Sequence, residues 1–392
     1  MKVAIITERA NIELGGAERS IFELAASLAL MDVDVKILAA TGTTHSPKMQ
    51  VLFPDSQKRI SFNIFRDALL EHFKTNQYDI IHSTLPFDFA DIYQPRGGSY
   101  TEAAIRNAAS YKSTSMRIFK MLTTFANFKR TKLVHAEKIV CKKDNGPIIA
   151  ALSEYVKKQF QKHYNLPDSR IRVIPNGIKL ITNCDKDSID KIRAQVLSKF
   201  KIKEADEPVF FLFAANNFRL KGLSPLIKAL AIVKDKRTKR PAYLIVAGRG
   251  QISKYRRIAA SSGVEDRIIF MGQTSNVQNL LMLSDIAVLP TYYDPASRFI
   301  LEALGADKPV ITTKFNGASD LFTADKHGKI FDTPDNIEAL AEAIRHFCAT
   351  ENIIAAKNAI EADNLKSKVS IKAHCEKLIE LYNEIIQSRK QK

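Results

Sequence analysis

The sequence predicts an α/β protein built from two parallel, doubly wound sheets, and three observations carry that prediction. Short apolar runs alternate with helix-length amphipathic segments through both halves of the chain. The alternation breaks once, after Gly177, where a polar and charged stretch covers 179–207. At 392 residues the chain is also too long for one ordinary core.

The elements follow from the pattern. In the first half, strands are expected over 2–7, 33–40, 78–82, 148–152 and 172–174, with helices over 15–29, 64–74 and 154–163. A helix over 188–200 opens the second half. Strands then fall at 209–214, 242–247, 268–271 and 285–289, with helices at 223–234, 253–262 and 277–283. The apolar run 285–289 leads through a Pro-containing loop into a helix bearing Phe299, Ile300, Leu301 and Ala303. Lys308-Pro309 closes that helix before the strand at Val310-Ile311. The tail over 336–387 reads as mostly helical, with Phe347, Leu378, Ile379, Leu381 and Tyr382 at core-like spacing.

Composition narrows the class. An apolar content of 45% is that of a globular chain. The four cysteines, Cys141, Cys184, Cys348 and Cys375, are widely spaced and read as free thiols in a reducing compartment. The apolar run after Met1 is too short for a signal peptide, and no apolar run reaches the roughly 18 residues of a membrane span. A net charge of +17 implies an anionic partner. Between 103 and 143 there are ten Lys or Arg and one acid, Glu137, interleaved with Tyr111, Ile118, Phe119, Met121, Leu122, Phe125 and Phe128. Helices of that composition suit an anionic membrane surface; a solvated basic helix pair is the plainer alternative. Aromatic RNA-binding strand signatures are absent, which argues against nucleic acid.

Several residues sit where chemistry is expected. Gly15-Gly16 follows the first strand and opens a helix, a place where backbone N–H groups approach a phosphate. Arg219 and Lys221, in Phe218-Arg-Leu-Lys-Gly, follow the first strand of the second half and suit a diphosphate, or are surface cations at a helix start. Asp294 and Glu302, eight positions apart, suit sugar hydroxyls, because a carboxylate accepts several hydrogen bonds; the alternative is a capping Asp and an exposed helical Glu. Gly248-Arg-Gly and Gly272-Gln-Thr end two further strands, with Val277 close behind the second.

The stretch from 289 to 320 resembles the nucleotide-sugar motif of retaining GT-B glycosyltransferases, in particular glycosyltransferase family 4. Asp294 stands at the first of that motif's two Glu positions and Glu302 at the second. Ala296-Ser297 replaces the usual Phe-Gly, and Asn316-Gly-Ala-Ser-Asp320 replaces a Gly-Gly-x-x-Glu loop. The Gln94-Pro-Arg-Gly-Gly loop, the basic insert and Tyr293-Asp-Pro further resemble lipopolysaccharide core glycosyltransferases, especially those adding hexose to inner-core heptose. The resemblance implies a GT-B fold, with two Rossmann-like domains facing a central cleft. It implies an acceptor domain over 1–177, a donor domain over 178–370 and a final helix over 371–392 crossing back to the first.

It also implies transfer of a hexose, with UDP-glucose the expected donor, to a lipid-linked glycan at the cytoplasmic face of the cell membrane. Asp294, Lys221 and Arg219 would be catalytic. Gly15, Gly16, Glu302, Ser297, Arg298, Gly272 and Val277 would bind the donor. On the acceptor side the His usual in relatives is missing. Arg96, Asp88, Asp91 and His82 stand as candidates there, with His82 open to the plainer reading of a buried, hydrogen-bonded histidine. No metal or cofactor is expected, since no Asp-x-Asp follows a strand. A GT-B transferase with a small acceptor, or a non-catalytic nucleotide-sugar-binding membrane protein, is the alternative.

Overall fold

A computed structural model describes all residues except 12–15, 45, 57, 181–184, 203, 236–237, 275–276 and 392, and only the backbone of 16–18, 124–125, 204 and 235. The expected positions Gly15 and Cys184 and the side chain of Phe125 therefore lie outside the described residues. The other three cysteines are free and buried.

The chain divides into two units. The first comprises Met1–Ala108, Ser113–Ile178 and Ile371–Lys392; the second comprises Lys179–Ser370 with the short segment Ala109–Lys112. The first unit holds a parallel sheet of β1 (Lys2–Ala10), β2 (Asp34–Gly42), β3 (Met49–Val51), β4 (Ile80–Ser83), β5 (Ile92–Tyr93), β6 (Ile148–Ala151) and β7 (Ile171–Val173). Its strand order is β3-β2-β1-β4-β5-β6-β7. The second unit holds β8 (Val209–Ala214), β9 (Ala242–Ala247), β10 (Ile268–Gly272), β11 (Ile286–Leu289), β12 (Val310–Thr313) and β13 (Gly328–Phe331). These are ordered β10-β9-β8-β11-β12-β13, again parallel.

The central strands form where consecutive apolar residues are buried on both faces. All of β9 and all of β11 are buried, as helices covering both sides of a parallel sheet require. Helix starts follow local chemistry. Ser61, Ser153, Asp185 and Asn336 each accept a hydrogen bond from a backbone N–H of the first turn. Three strands escape the periodicity reading: β3, β5 and β13, of three, two and four residues. The strand expected from 78 begins instead at Ile80; just before it the Asp79 carboxylate accepts the Lys2 amide at 2.6 Å.

The tail forms Ile337–His346, Thr350–Ala362 and Leu365–Lys368 in the second unit and Ile371–Lys390 in the first. That last helix buries Cys375, Leu378, Leu381, Tyr382 and Ile385 in one core with Ile21, Leu24 and Leu28 of helix Gly16–Ala29. Each large apolar side chain so buried contributes roughly 1.5–3 kcal/mol. Polar anchors fix its register. Tyr382 meets His82 Nδ1 at 2.6 Å, and the His374 ring meets the Pro175 carbonyl at 2.6 Å.

Burial, with Arg96 and His374 nearby, pushes His82 down to about 3, and burial with Arg96 does the same to His374. Both rings stay neutral in the folded chain at a pH where the unfolded chain, near 6.5, takes up protons. A depressed folded value means that this stability is present above 6.5 and is lost as pH falls toward about 3. The loss runs at up to about 1.4 kcal/mol per pH unit for each ring. Melting curves of wild type and His374→Gln across this range should show the variant's midpoint falling less steeply with acid; parallel slopes would refute the assignment.

Candidate active site

The second sheet reverses its strand order between β8 and β11. Chains leaving those two strands diverge, and the crevice between them is where ligands bind in such sheets. Lys221 arrives there from β8. The turn before it is closed by the Lys221 amide on the Asn217 carbonyl at 3.0 Å and the Gly222 amide on the Arg219 carbonyl at 3.2 Å. Gly222 has φ +79°, and a Cβ on it would lie 1.9 Å from the Pro290 carbonyl oxygen. Only glycine lets this turn lie against the end of β11. The Leu220 carbonyl then accepts from the Tyr292 amide at 2.9 Å and the Thr291 hydroxyl at 3.2 Å.

This docking delivers the ammonium of Lys221 to Asp294 Oδ2 at 2.6 Å and to the Tyr293 carbonyl at 2.9 Å. The side chains are 18% and 15% exposed, so the charge is partly desolvated and its partner offsets the cost. Asp294 is fixed from the β12 side. Its amide donates to the Phe315 carbonyl at 2.9 Å, and its carbonyl accepts from the Gly317 amide at 2.8 Å. Its Oδ1 accepts from the Ala296 amide at 3.3 Å.

Asn316 organises these loops and was legible only as part of an altered family loop. It is wholly buried. Its Oδ1 accepts from the Ser297 amide at 3.2 Å and the Ala318 amide at 3.1 Å, while its Nδ2 donates to Thr312 Oγ1 at 3.0 Å. One side chain thus joins the start of helix Arg298–Gly305 to the loop after β12. On that helix Arg298 and Glu302 pair at 3.5 Å, both largely buried. Ser297 occupies the N-cap position, where its hydroxyl makes no capping bond.

The other donor-side candidates lie along the same edge. Gly272, with φ +71°, accepts from the Gly248 amide at 2.7 Å, and Arg249 donates to Gln273 Oε1 at 2.6 Å. Val277 opens helix Val277–Leu283. These groups follow β9 and β10, on the far side of β8 from β11. Arg219 is engaged by the segment Ala109–Lys112: it donates to the Ser110 hydroxyl, and its guanidinium lies over the Tyr111 ring at 3.9 Å.

In the first unit the order reverses between β1 and β4. A cavity of 150 Å³ opens there, lined by Thr7, Glu8, Thr84, Arg96, Gly97 and Tyr100 among others. Arg96 is placed in it, with one guanidinium nitrogen donating to Asn176 Oδ1 at 3.0 Å. Gly16 begins the helix after β1.

The structure places the other three acceptor-side candidates as follows. His82 is wholly buried and bonded to Tyr382, so it packs the final helix. Asp91 precedes β5, at the opposite end of a parallel strand from the crevice. There it accepts the Ile81 amide at 2.7 Å and pairs with Arg389. Asp88 faces Arg66 and Lys143, each at 3.6 Å, and lines a separate cavity of 630 Å³ with Phe62, Phe87, Phe128 and Lys132.

The basic insert forms helices Tyr100–Ala109, Thr114–Ala126 and Phe128–Lys142. Met116, Ile118, Phe119, Met121, Leu122, Phe128 and Ile139 are exposed on it. Among the described residues no helix is long and apolar enough to cross a membrane.

Comparison with known proteins follows the same division. Residues 14–180 match the family model described as Glycosyltransferase Family 4, and residues 195–369 match Glycosyl transferases group 1. The lipopolysaccharide glucosyltransferase WaaG of Escherichia coli (strain K12) is 24% identical over 336 residues, spanning 84% of this chain and 85% of that protein. A solved structure of WaaG superposes with a TM-score of 0.74 at 20% identity, covering 97% of this chain and 99% of the other. A sucrose-phosphate synthase from Thermosynechococcus elongatus gives 0.74 at 17% identity, covering 99% of each. An Anabaena protein, HepE, solved with UDP-glucose, gives 0.67 at 17% identity, covering 98% of this chain and all, 100%, of the other. At these identities the superpositions establish the fold.

Asn316→Ala removes the shared partner of two buried amides and a hydroxyl. With each orphaned group costing about 1–3 kcal/mol before relaxation, a total loss of about 2–4 kcal/mol is expected. Urea unfolding should place Asn316→Asp, which keeps the acceptor and loses the donor, between wild type and Ala. An Ala variant as stable as wild type would refute the organising role.

Proposed function

This chain belongs to the GT-B glycosyltransferases of group 1 and family 4, and we propose that it is a retaining hexosyltransferase using UDP-glucose and a lipid-linked glycan such as lipopolysaccharide core. The observation that carries the donor half is the pairing of Lys221 with Asp294 at the reversal point of the second sheet. An ammonium already aimed into a partly dry crevice can stabilise charge that grows on a leaving diphosphate without reorganising. On this reading Lys221, aided by Arg219, meets the diphosphate, Asp294 orients the sugar, Glu302 binds the ribose and Ser297 and Arg298 complete the donor pocket. Gly272 and Val277 lie toward the base. Arg96 meets the acceptor or a phosphate in the first unit, and Gly15 and Gly16 bind the donor.

The bond from the anomeric carbon to the diphosphate oxygen breaks, and the acceptor oxygen bonds that carbon on the same face. The departing phosphate takes the acceptor proton, so no protein base is required. Side chains neutralise the diphosphate, and no metal takes part. The names of the relatives support the choice of glucose and of lipopolysaccharide: WaaG is a lipopolysaccharide glucosyltransferase, and HepE was solved with UDP-glucose. The exposed apolar groups among the cations of the insert favour a lipid-linked acceptor over a small one, with the protein peripheral on the inner face of the cell membrane.

Lys221→Ala should lower kcat/KM for UDP-glucose by on the order of 10²–10³, the scale for losing one such stabiliser. Wild-type activity should persist in excess EDTA. Near-normal turnover of the variant would sink the diphosphate role; loss in EDTA reversed by Mg²⁺ would sink the metal-free one.

Membrane docking is tested separately. Each cation near an anionic surface is worth about 1 kcal/mol, within a Debye length of about 10 Å at 0.1 M salt. Replacing Lys120, Lys129, Arg130 and Lys132 with Glu should release the protein from anionic vesicles while donor hydrolysis continues. Equal co-sedimentation of both forms would return the insert to a solvated basic face.

A further inference from the structure

Helix Phe128–Lys142 reaches the first-unit crevice at two points, although its outer side carries the exposed Phe128 and Ile139. The first point is Glu137, the one acid between 103 and 143, which is wholly buried. Four donors converge on its carboxylate. Tyr93 donates its hydroxyl to Oε1 at 2.8 Å. Oε2 accepts from the Tyr164 hydroxyl at 2.6 Å, the Tyr100 amide at 3.0 Å and the Ser99 hydroxyl at 3.2 Å. A carboxylate has about four lone-pair sites, and these donors offset only part of the burial, which still pushes the Glu137 carboxyl up to about 7.

Two of the four donors, Ser99 and Tyr100, belong to the turn that carries Arg96 and Gly97 into the cavity, and Tyr93 ends the strand leading to it. The turn is closed by the Gly98 amide on the Pro95 carbonyl at 2.9 Å, with Gly98 at φ +67°. Its far side is gripped again, by the Ser99 amide donating to Gln159 Oε1 at 3.1 Å. The second point is Lys129, which pairs with Glu8, a residue lining the same cavity.

We propose that Glu137 is a positioning residue for the acceptor: its hydrogen bonds to Ser99 and Tyr100 hold the Arg96-Gly97-Gly98 turn in the shape that receives the acceptor. The inference rests on the acceptor reading of this crevice. Small displacements of a positioning group cost large factors in rate, so a loosened turn should weaken acceptor use and spare the donor half.

The test compares Glu137→Leu, which removes every acceptor, with Glu137→Gln, whose single carbonyl oxygen can replace Oε2. Amide hydrogen exchange over 94–101, donor hydrolysis with UDP-glucose, and transfer from UDP-glucose to heptose-terminated lipopolysaccharide core are measured. In the Leu variant, exchange at Ser99 and Tyr100 should rise about tenfold, acceptor KM should rise about tenfold, and hydrolysis should stay within about twofold, with the Gln variant near wild type. If the Leu variant does not accumulate folded, the pair Ser99→Ala and Gln159→Leu strips the turn's side of the grip and should give the same local pattern. Unchanged exchange at the turn overturns the proposal. So does faster exchange throughout the unit with equal losses in hydrolysis and transfer, which is the mark of a merely structural role. If the turn responds but wild type transfers nothing to the core acceptor, the acceptor reading falls and the grip on the turn stands.

Discussion

Parallel strands send all their carboxyl ends to one edge, and a sheet whose order reverses must open there. In the second unit that edge is set by the register of β8 and β11, where Phe211 lies opposite Ile286 and Leu212 opposite Ala287. Once those rows are paired, the turn ending at Gly222 has to cross the end of β11, and the absence of a Cβ there permits it. Lys221 and Asp294 are far apart in the chain, yet their meeting follows from this register. The pairing of β1 with β4 plays the same part in the first unit, and β5, paired to β4, leads into the Arg96 turn.

Much of this was legible in the sequence, for a physical reason. Buried parallel strands need unbroken apolar runs, so 209–214 and 242–247 announced themselves, and residues just after such runs fall at the ligand edge. Lys221 and Asp294 stand at that edge by this reading, and the structure pairs them. What sequence hides is the partner that arrives from elsewhere. His82 lies in β4 and Asp91 just before β5, and Tyr382 and Arg389 from the final helix claim them. Asn316 stood in the altered family loop over 316–320, and its importance comes from two amides it accepts from, one of them on another segment of the chain. Glu137 had the look of a stray acid on a basic helix. Its burial is visible only once Tyr93, Ser99, Tyr100 and Tyr164 surround it.

The chain's positive charge is therefore put to two physically different uses. Lys221 is held by a carboxylate in a partly dry crevice, where screening is weak and orientation is fixed. The cations of the insert are spread over exposed helices beside Phe119, Leu122 and Phe128, where salt screens them and only an extended anionic surface engages many at once. One helix, Phe128–Lys142, belongs to both settings: its outer side carries exposed cations and its inner side holds the carboxylate that grips the Arg96 turn.

The final helix bears on how the protein is made. Helix Ile371–Lys390 covers the apolar side of helix Gly16–Ala29 with Leu378, Leu381 and Tyr382, yet it is synthesised after the whole of 179–370. At about 5–20 residues per second the first unit waits on the order of 10–40 s with that apolar strip uncovered. The nascent chain thus passes through an interval in which helix Gly16–Ala29 lacks its C-terminal cover.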